Sequence, residues 1–181
     1  MLKVAIQGYA ASFHDVAAHA MLGDDLYLVP CDTFKGVFDA VLEGRAEYGV
    51  VAIENTMYGL INESHALLEH ADVNVVDEDV VRVEQCLLAL PGARLEDIRE
   101  VYSHPVALMQ CDEFLHGVLP QARAIEHADT AGAAADVAKW GNPTRAAIAS
   151  RAAAEYYGLQ VLAPDIATEK HNYTRFVLFT R

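Results

Sequence analysis

The segment Phe34-Lys35-Gly36-Val37-Phe38-Asp39-Ala40-Val41-Leu42-Glu43-Gly44, with Tyr48-Gly49-Val50-Val51-Ala52-Ile53 close behind it, decides how the rest of the chain reads. In its first part Phe34, Val37, Phe38, Val41 and Leu42 recur at the helical period of about 3.6 residues. Asp32 stands before them as the expected cap, and Gly44 stops them. The second part is a continuous apolar run, the pattern of a strand covered on both faces. Upstream, 3–7 reads as a strand, Gly8 as a turn, 12–22 as a helix and 26–29 as a second strand. A further helix is expected over 62–70. Repeated strand, helix, strand implies a parallel sheet with helices on both faces.

After a strand at 73–76, the acidic Asp77-Glu78-Asp79 breaks the pattern, and a long strand over 80–90 is expected to carry the chain from one lobe into another. The style then repeats: strand 100–102, helix 105–115, strand 122–126, helix 130–140, strand 145–149, helix 150–157 and strand 160–162. The last strand, 174–180, is expected to return to the first lobe. The expected fold class is α/β, with two lobes of mostly parallel sheet flanked by helices. Lobe one covers about 1–78 plus 171–181, and lobe two about 79–170.

Length and composition agree with that size: 181 residues, 53% of them apolar, suffice for one domain of two lobes with a buried core. The net charge of −13 argues against nucleic acid, which needs a basic face. Screening confines the repulsion of an anionic substrate to about 8 Å at physiological salt, so a local Arg or helix N-terminus can still dominate a cleft. No apolar run reaches membrane-span length, and the N-terminus leads straight into a strand without a signal-peptide pattern. Cys31, Cys86 and Cys111 read as small buried hydrophobes in a reducing cytosol. The histidines lack metal-ligand spacing, so no metal is expected.

Near the C-terminus, Asn172-Tyr173-Thr174-Arg175-Phe176 places a hydroxyl, a cation and a ring at the start of an apolar strand. Strand alternation puts Thr174 and Phe176 on one face and Arg175 on the other. Such an Arg can fork onto a carboxylate while the neighbouring hydroxyl donates a proton, which suits a small anion. Four helices are expected to start with a small hydroxyl: Ser12, Ser103 before His104-Pro105, Thr130 and Ser150. Helix starts beyond the carboxyl ends of strands offer free N–H groups to anions, although Ser and Thr are also ordinary caps. Glu54-Asn55-Thr56 is read as a turn after the 48–53 strand, with Gly59 close behind. His104 reads equally as acid, base or core residue.

In order, these segments resemble the prephenate dehydratase family over essentially the whole chain. The matching residues are Gln7-Gly8 with Ser12-Phe13, Phe34 through Gly44, Ile53-Glu54-Asn55-Thr56 with Gly59, and Cys86-Leu87-Leu88. They continue with Ser103-His104-Pro105, Asp129-Thr130-Ala131, Ala147-Ile148-Ala149-Ser150, Tyr157-Gly158-Leu159, and Asn172 with Thr174-Arg175-Phe176. The resemblance implies a fold similar to type II periplasmic binding proteins, with the active site in an interlobe cleft. It implies conversion of prephenate to phenylpyruvate, water and carbon dioxide in phenylalanine biosynthesis, without a cofactor. It assigns the proton donor to Thr174 and places Arg175 near the substrate carboxylates. Ser12, Glu54, Asn55, Ser103, His104, Thr130, Asn172 and Phe176 are the implied substrate contacts. A cytoplasmic homodimer acting on dianionic prephenate, with no nucleic-acid or membrane partner, is the implied setting.

The chain departs from the family opening at Tyr9, Ala10, Ala11 and His14, where a proline, a second glycine and a hydroxyl are usual. The backbone there is expected to approach substrate less closely, with His14 taking over a polar contact. Gln85 stands where the family has His, and Val106 where it has Gln. The family's regulatory domain would follow Arg181, so feedback by phenylalanine through that domain is not expected of this chain. Alternatives from the same resemblance are an arogenate dehydratase and a non-aromatising prephenate decarboxylase, the latter disfavoured by Thr174. A small-carboxylate binding or sensor module is the alternative from another class.

Overall fold

The 48–53 run lies inside a strand of the first of two sheets, in a computed structural model that describes residues 1–181. The elements in chain order begin β1 (Leu2–Gln7), α1 (Phe13–Leu22), β2 (Leu26–Cys31), α2 (Phe34–Leu42), β3 (Tyr48–Asn55), β4 (Gly59–Leu60), α3 (Asn62–His70) and β5 (Asn74–Arg82). They continue β6 (Cys86–Ala89), a 3₁₀ turn Leu95–Asp97, β7 (Glu100–Ser103), α4 (Pro105–Gln110), α5 (Asp112–Val118) and β8 (Arg123–Glu126). The last are α6 (Thr130–Trp140), β9 (Arg145–Ala149), α7 (Arg151–Tyr157), β10 (Gln160–Ala163) and β11 (Tyr173–Thr180). Two units result, Met1–Val83 with His171–Arg181, and Glu84–Lys170.

In the first unit the sheet order is β2-β1-β3-β11-β5, with β4 paired to β3. β1 runs parallel to β2 and β3, whereas β11 runs antiparallel to both β3 and β5. The second unit repeats the mixture: in the order β10-β6-β9-β7-β8, the pairs β7–β8 and β7–β9 are parallel and the pairs through β6 antiparallel. The α/β class therefore stands, but each sheet is mixed. Helical crossovers make neighbours parallel, and strands entering from elsewhere in the chain, such as β11, are free to pair in the opposite sense.

Alternation divides the first core in two. Val4, Ile6, Val50, Ala52, Phe176 and Leu178 face α1, while Ala5, Val51, Ile53, Val177 and Phe179 face α2 and α3. Covering both faces is what makes β3 a continuous apolar run. Phe38 of α2 stacks on Phe179 with ring centroids 4.3 Å apart, each ring adding roughly 1.5–3 kcal/mol by burial. Gly49 makes room for that ring, because a Cβ there would lie 2.3 Å from Phe179. In the second unit every residue of β6 is buried, and Leu87, Ile98, Val101 and Ile148 form one core with Leu108 and Leu115.

Several local expectations change. Thr33, not Asp32, caps α2: its Oγ1 accepts from the Gly36 N–H at 3.0 Å, because a cap must immediately precede the first helical residue. Asp77-Glu78-Asp79 does not interrupt a strand; it lies within β5, the edge of its sheet, where consecutive carboxylates reach water without loss of pairing. The long strand expected over 80–90 is accordingly two strands, β5 and β6, separated by residues 83–85. The helix expected over 105–115 breaks at Cys111, whose ψ of 12° leaves the helical range, into α4 and α5. Glu54 and Asn55 belong to β3 and are not a turn, because β11 and β4 pair with them.

Candidate active site

The paired ends of β3 and β11 build the site. Thr174 lies opposite Asn55 and Arg175 opposite Glu54, after which the register slips so that Phe176 faces Ala52. Ile53 is the extra residue, a β-bulge directly before Glu54-Asn55. Side chains alternate, so these two adjacent rungs point to opposite faces of the sheet. The Asn55–Thr174 rung shares the α1 side with Phe176; the Glu54–Arg175 rung shares the other.

On the α1 side, the Asn55 amide is fixed at both ends. Its Oδ1 accepts from the backbone N–H groups of Met57 at 2.8 Å and Tyr58 at 3.3 Å. That fixes the orientation of the amide, since only the oxygen can accept. Its Nδ2 then donates to Asn172 Oδ1 at 2.8 Å and to Thr174 Oγ1 at 2.9 Å. Thr174 and Asn172 are both buried. Because Thr174 is the acceptor in this bond, its own hydroxyl hydrogen is not used by Asn55. A donor aimed at the oxygen also favours negative charge on it, so the arrangement makes a weak acid better at giving up its proton.

On the other face the charges satisfy one another. Arg175 Nε and Nη2 both donate to Glu54 Oε2, at 3.2 and 2.9 Å, and Nη1 donates to Glu78 Oε2 at 3.2 Å. Arg175 and Glu54, both expected to contact substrate, are thus brought together as partners of each other. Glu78 comes from the acidic stretch of β5. Phe176 is fully buried in the α1-side core.

The turn from β1 into α1 takes two left-handed steps. Gly8 has φ 92° and Ala11 φ 65°, the latter costly for a residue with a Cβ. Asp15 offsets the strain: its Oδ2 accepts from the Ala11 N–H at 2.6 Å. Ser12 caps α1, its Oγ accepting from the Asp15 N–H at 3.3 Å. His14 faces Phe176 edge-on at 5.0 Å, and burial lowers its pKa from 6.5 to about 4. Its Nε2 accepts from the Ala52 N–H at 3.3 Å, which the neutral ring permits.

In the second unit, Ser103 is buried and donates to the Ile148 carbonyl at 2.6 Å, so its proton holds β7 to β9. His104 caps α4 with Nδ1 accepting from the Val106 N–H at 3.2 Å, which places the ring hydrogen on Nε2. Asp129, not Thr130, caps α6, accepting from the Gly132 N–H; Thr130 is the first helical residue. Gln85 Nε2 donates to Gln110 Oε1 at 3.2 Å. Asp15, His65 and Glu78 were not singled out by sequence. Asp15 carried a signal, standing three residues after a Ser cap, where an acidic residue supports a helix start.

Fold and site together define a two-unit α/β protein with a buried threonine hydroxyl held by an amide. The family model described as prephenate dehydratase matches residues 4–181. The chain is 37% identical over 180 residues to the bifunctional N-acyl-homoserine lactone acylase/prephenate dehydratase of Komagataeibacter europaeus, covering 98% of this chain and 62% of that protein. It is 38% identical over 180 residues to arogenate dehydratase 5, chloroplastic, of Arabidopsis thaliana, covering 99% and 42%. A crystal structure of prephenate dehydratase in complex with L-Phe from Arthrobacter aurescens has a TM-score of 0.88 at 28% identity, covering 99% of this chain and 60% of that one. The chain belongs to the prephenate dehydratase family. It spans less than two thirds of the length of each of these three proteins.

Proposed function

We propose that the chain catalyses the decarboxylating dehydration of prephenate to phenylpyruvate, water and carbon dioxide, with Thr174 as the proton donor. One observation carries this reading: Asn55 donates to Thr174 Oγ1 and leaves the hydroxyl hydrogen free to be given. In the step, the ring carboxylate leaves as carbon dioxide and its bonding pair enters the ring. The ring pair expels the opposite hydroxyl, which takes the Thr174 proton and departs as water. Thr174 is then reprotonated from solvent. Aromatisation supplies the driving force, so the protein's tasks are orientation, proton delivery and exclusion of water.

Ser12, Asn172 and Thr130 are proposed as polar contacts of the substrate, Ser103 as an acceptor only, and His104 as a carboxylate donor through Nε2. Glu54 and Phe176 support these groups from β3 and β11. Arg175 gives three of its five N–H donors to Glu54 and Glu78, so one N–H on each of Nη1 and Nη2 remains to reach a substrate carboxylate, and Glu78, bound through one nitrogen at 3.2 Å, is the protein partner easier to release. The reading includes a homodimer in a reducing cytoplasm, which the three unpaired cysteines favour. No helix is long and apolar enough to cross a membrane.

Arogenate is the second substrate reading, favoured by the 38% identity to a plant arogenate dehydratase. The deciding experiment incubates the purified chain with prephenate and follows phenylpyruvate, with arogenate and phenylalanine formation in parallel. Turnover of prephenate is expected. Absence of product from both substrates would overturn the reading.

A further inference from the structure

The bulge in β3 leaves two backbone groups to be satisfied away from the ladders, one before the extra residue and one on it. The β1–β3 register ends at Ile6↔Val50, and Gly8 gives its N–H to Cys31 of β2, so β1 does not reach Ala52. The Ala52 N–H is taken instead by His14 Nε2 at 3.3 Å. The Ile53 carbonyl accepts from His65 Nε2 at 3.1 Å and from the Ile61 N–H at 2.9 Å. One histidine comes from α1 and the other from α3, so the bulge is held from both sides of the sheet.

We infer that His14 and His65 are positioning residues: they fix the β3 bulge and thereby fix Asn55 against the Thr174 hydroxyl. The inference rests on the proposed role of Thr174. Their demands are opposite. A backbone N–H only donates, so His14 must keep Nε2 bare and carry its hydrogen on Nδ1; a carbonyl only accepts, so His65 must carry hydrogen on Nε2. Depression of the His14 pKa by burial keeps that acceptor in place at neutral pH. His14 also packs between Phe34, at 5.8 Å, and Phe176, at 5.0 Å, which limits how far the ring can shift. Asn55 has its oxygen anchored downstream on Met57 and Tyr58, so any relaxation at residues 52–53 reappears as a shift of Nδ2 relative to Thr174. His65 shares its carbonyl with Ile61 and therefore contributes less than His14.

Two substitutions separate packing from hydrogen bonding. His14→Phe keeps a ring and removes the acceptor, whereas His14→Gln keeps an acceptor and removes the ring. For His14→Phe we expect kcat per folded molecule to fall about tenfold to a hundredfold with KM within about twofold, the pattern of a misplaced catalytic group. His14→Gln should return kcat to within about threefold of wild type. A folded His14→Phe with wild-type kcat, or His14→Gln no better than His14→Phe, would overturn the inference. Should His14→Phe not fold, His65→Leu decides: a lowered kcat at unchanged KM supports the inference, and an unchanged kcat overturns it. The side-chain amide signals of Asn55 in an NMR spectrum give a readout independent of turnover. They must move in the variant that folds, and if they stay fixed the inference fails. If the wild type turned over neither substrate, the functional reading would fall while the Asn55 signals still judged this one.

Discussion

Two neighbouring rungs of one strand pair have opposite characters. Asn55–Thr174 is neutral and incomplete, its threonine buried and its asparagine half-buried, with a hydrogen left to give. Glu54–Arg175, one residue along and on the other face, is charged, half-exposed and closed on itself with Glu78. The difference locates chemistry by what a group has left over, not by how polar it is. A cation whose charge is met by two protein carboxylates holds strands together; a hydroxyl that only accepts from its neighbour can act as an acid.

The sharpest way to break the contrast is Thr174→Val, which keeps shape and removes the hydroxyl. Loss of a general acid predicts a fall in kcat of about 10²–10⁴-fold in a protein whose circular dichroism is unchanged. Asn55→Asp is the next largest. A carboxylate in place of the amide would accept the Thr174 hydrogen instead of donating to its oxygen, and steady-state kinetics should show a loss of about 10²-fold.

His14 adds a pH dependence on the same face. Its folded pKa, about 4, lies below the ordinary 6.5, so the unfolded chain takes up the proton first as pH falls. The stabilisation is complete above pH 6.5 and is lost between 6.5 and 4. Urea unfolding should show at most about 3 kcal/mol of decline across that window, and His14→Gln should flatten it. On the charged face effects are smaller. Arg175 and Glu54 are 35% and 45% exposed, so Arg175→Gln should cost no more than about 1 kcal/mol in stability. A large rise in KM with that variant would instead assign the guanidinium to the substrate. Smallest is Ala11→Gly, which relieves the φ of 65° and should raise stability by up to about 1 kcal/mol in the same unfolding assay.

Much of this was legible in sequence where periodicity is strong. The helices over 62–70 and 130–140 and the strand over 145–149 have the expected bounds; for 130–140 the Asp129 cap and the left-handed Gly141 mark both ends. The opposite faces of Thr174 and Arg175 followed from alternation alone. What sequence hid is tertiary. Asp77-Glu78-Asp79 read as a break because charge argues against a buried strand, yet an edge strand tolerates it and Glu78 meets Arg175. The strand character of Glu54-Asn55 depends on β11, more than a hundred residues away in sequence, as does the bulge at Ile53. The direction of the Asn55 amide, on which the proton argument turns, required two backbone N–H groups that no spacing rule reveals.

The most direct measurement is the single-turnover rate with prephenate in light and heavy water, for the wild type and for Thr174→Val. If the Thr174 proton moves to the departing hydroxyl as the ring becomes aromatic, heavy water slows the wild-type step and leaves the residual rate of the variant far less affected. An equal isotope effect in the two proteins would place the proton donor elsewhere and contradict the account.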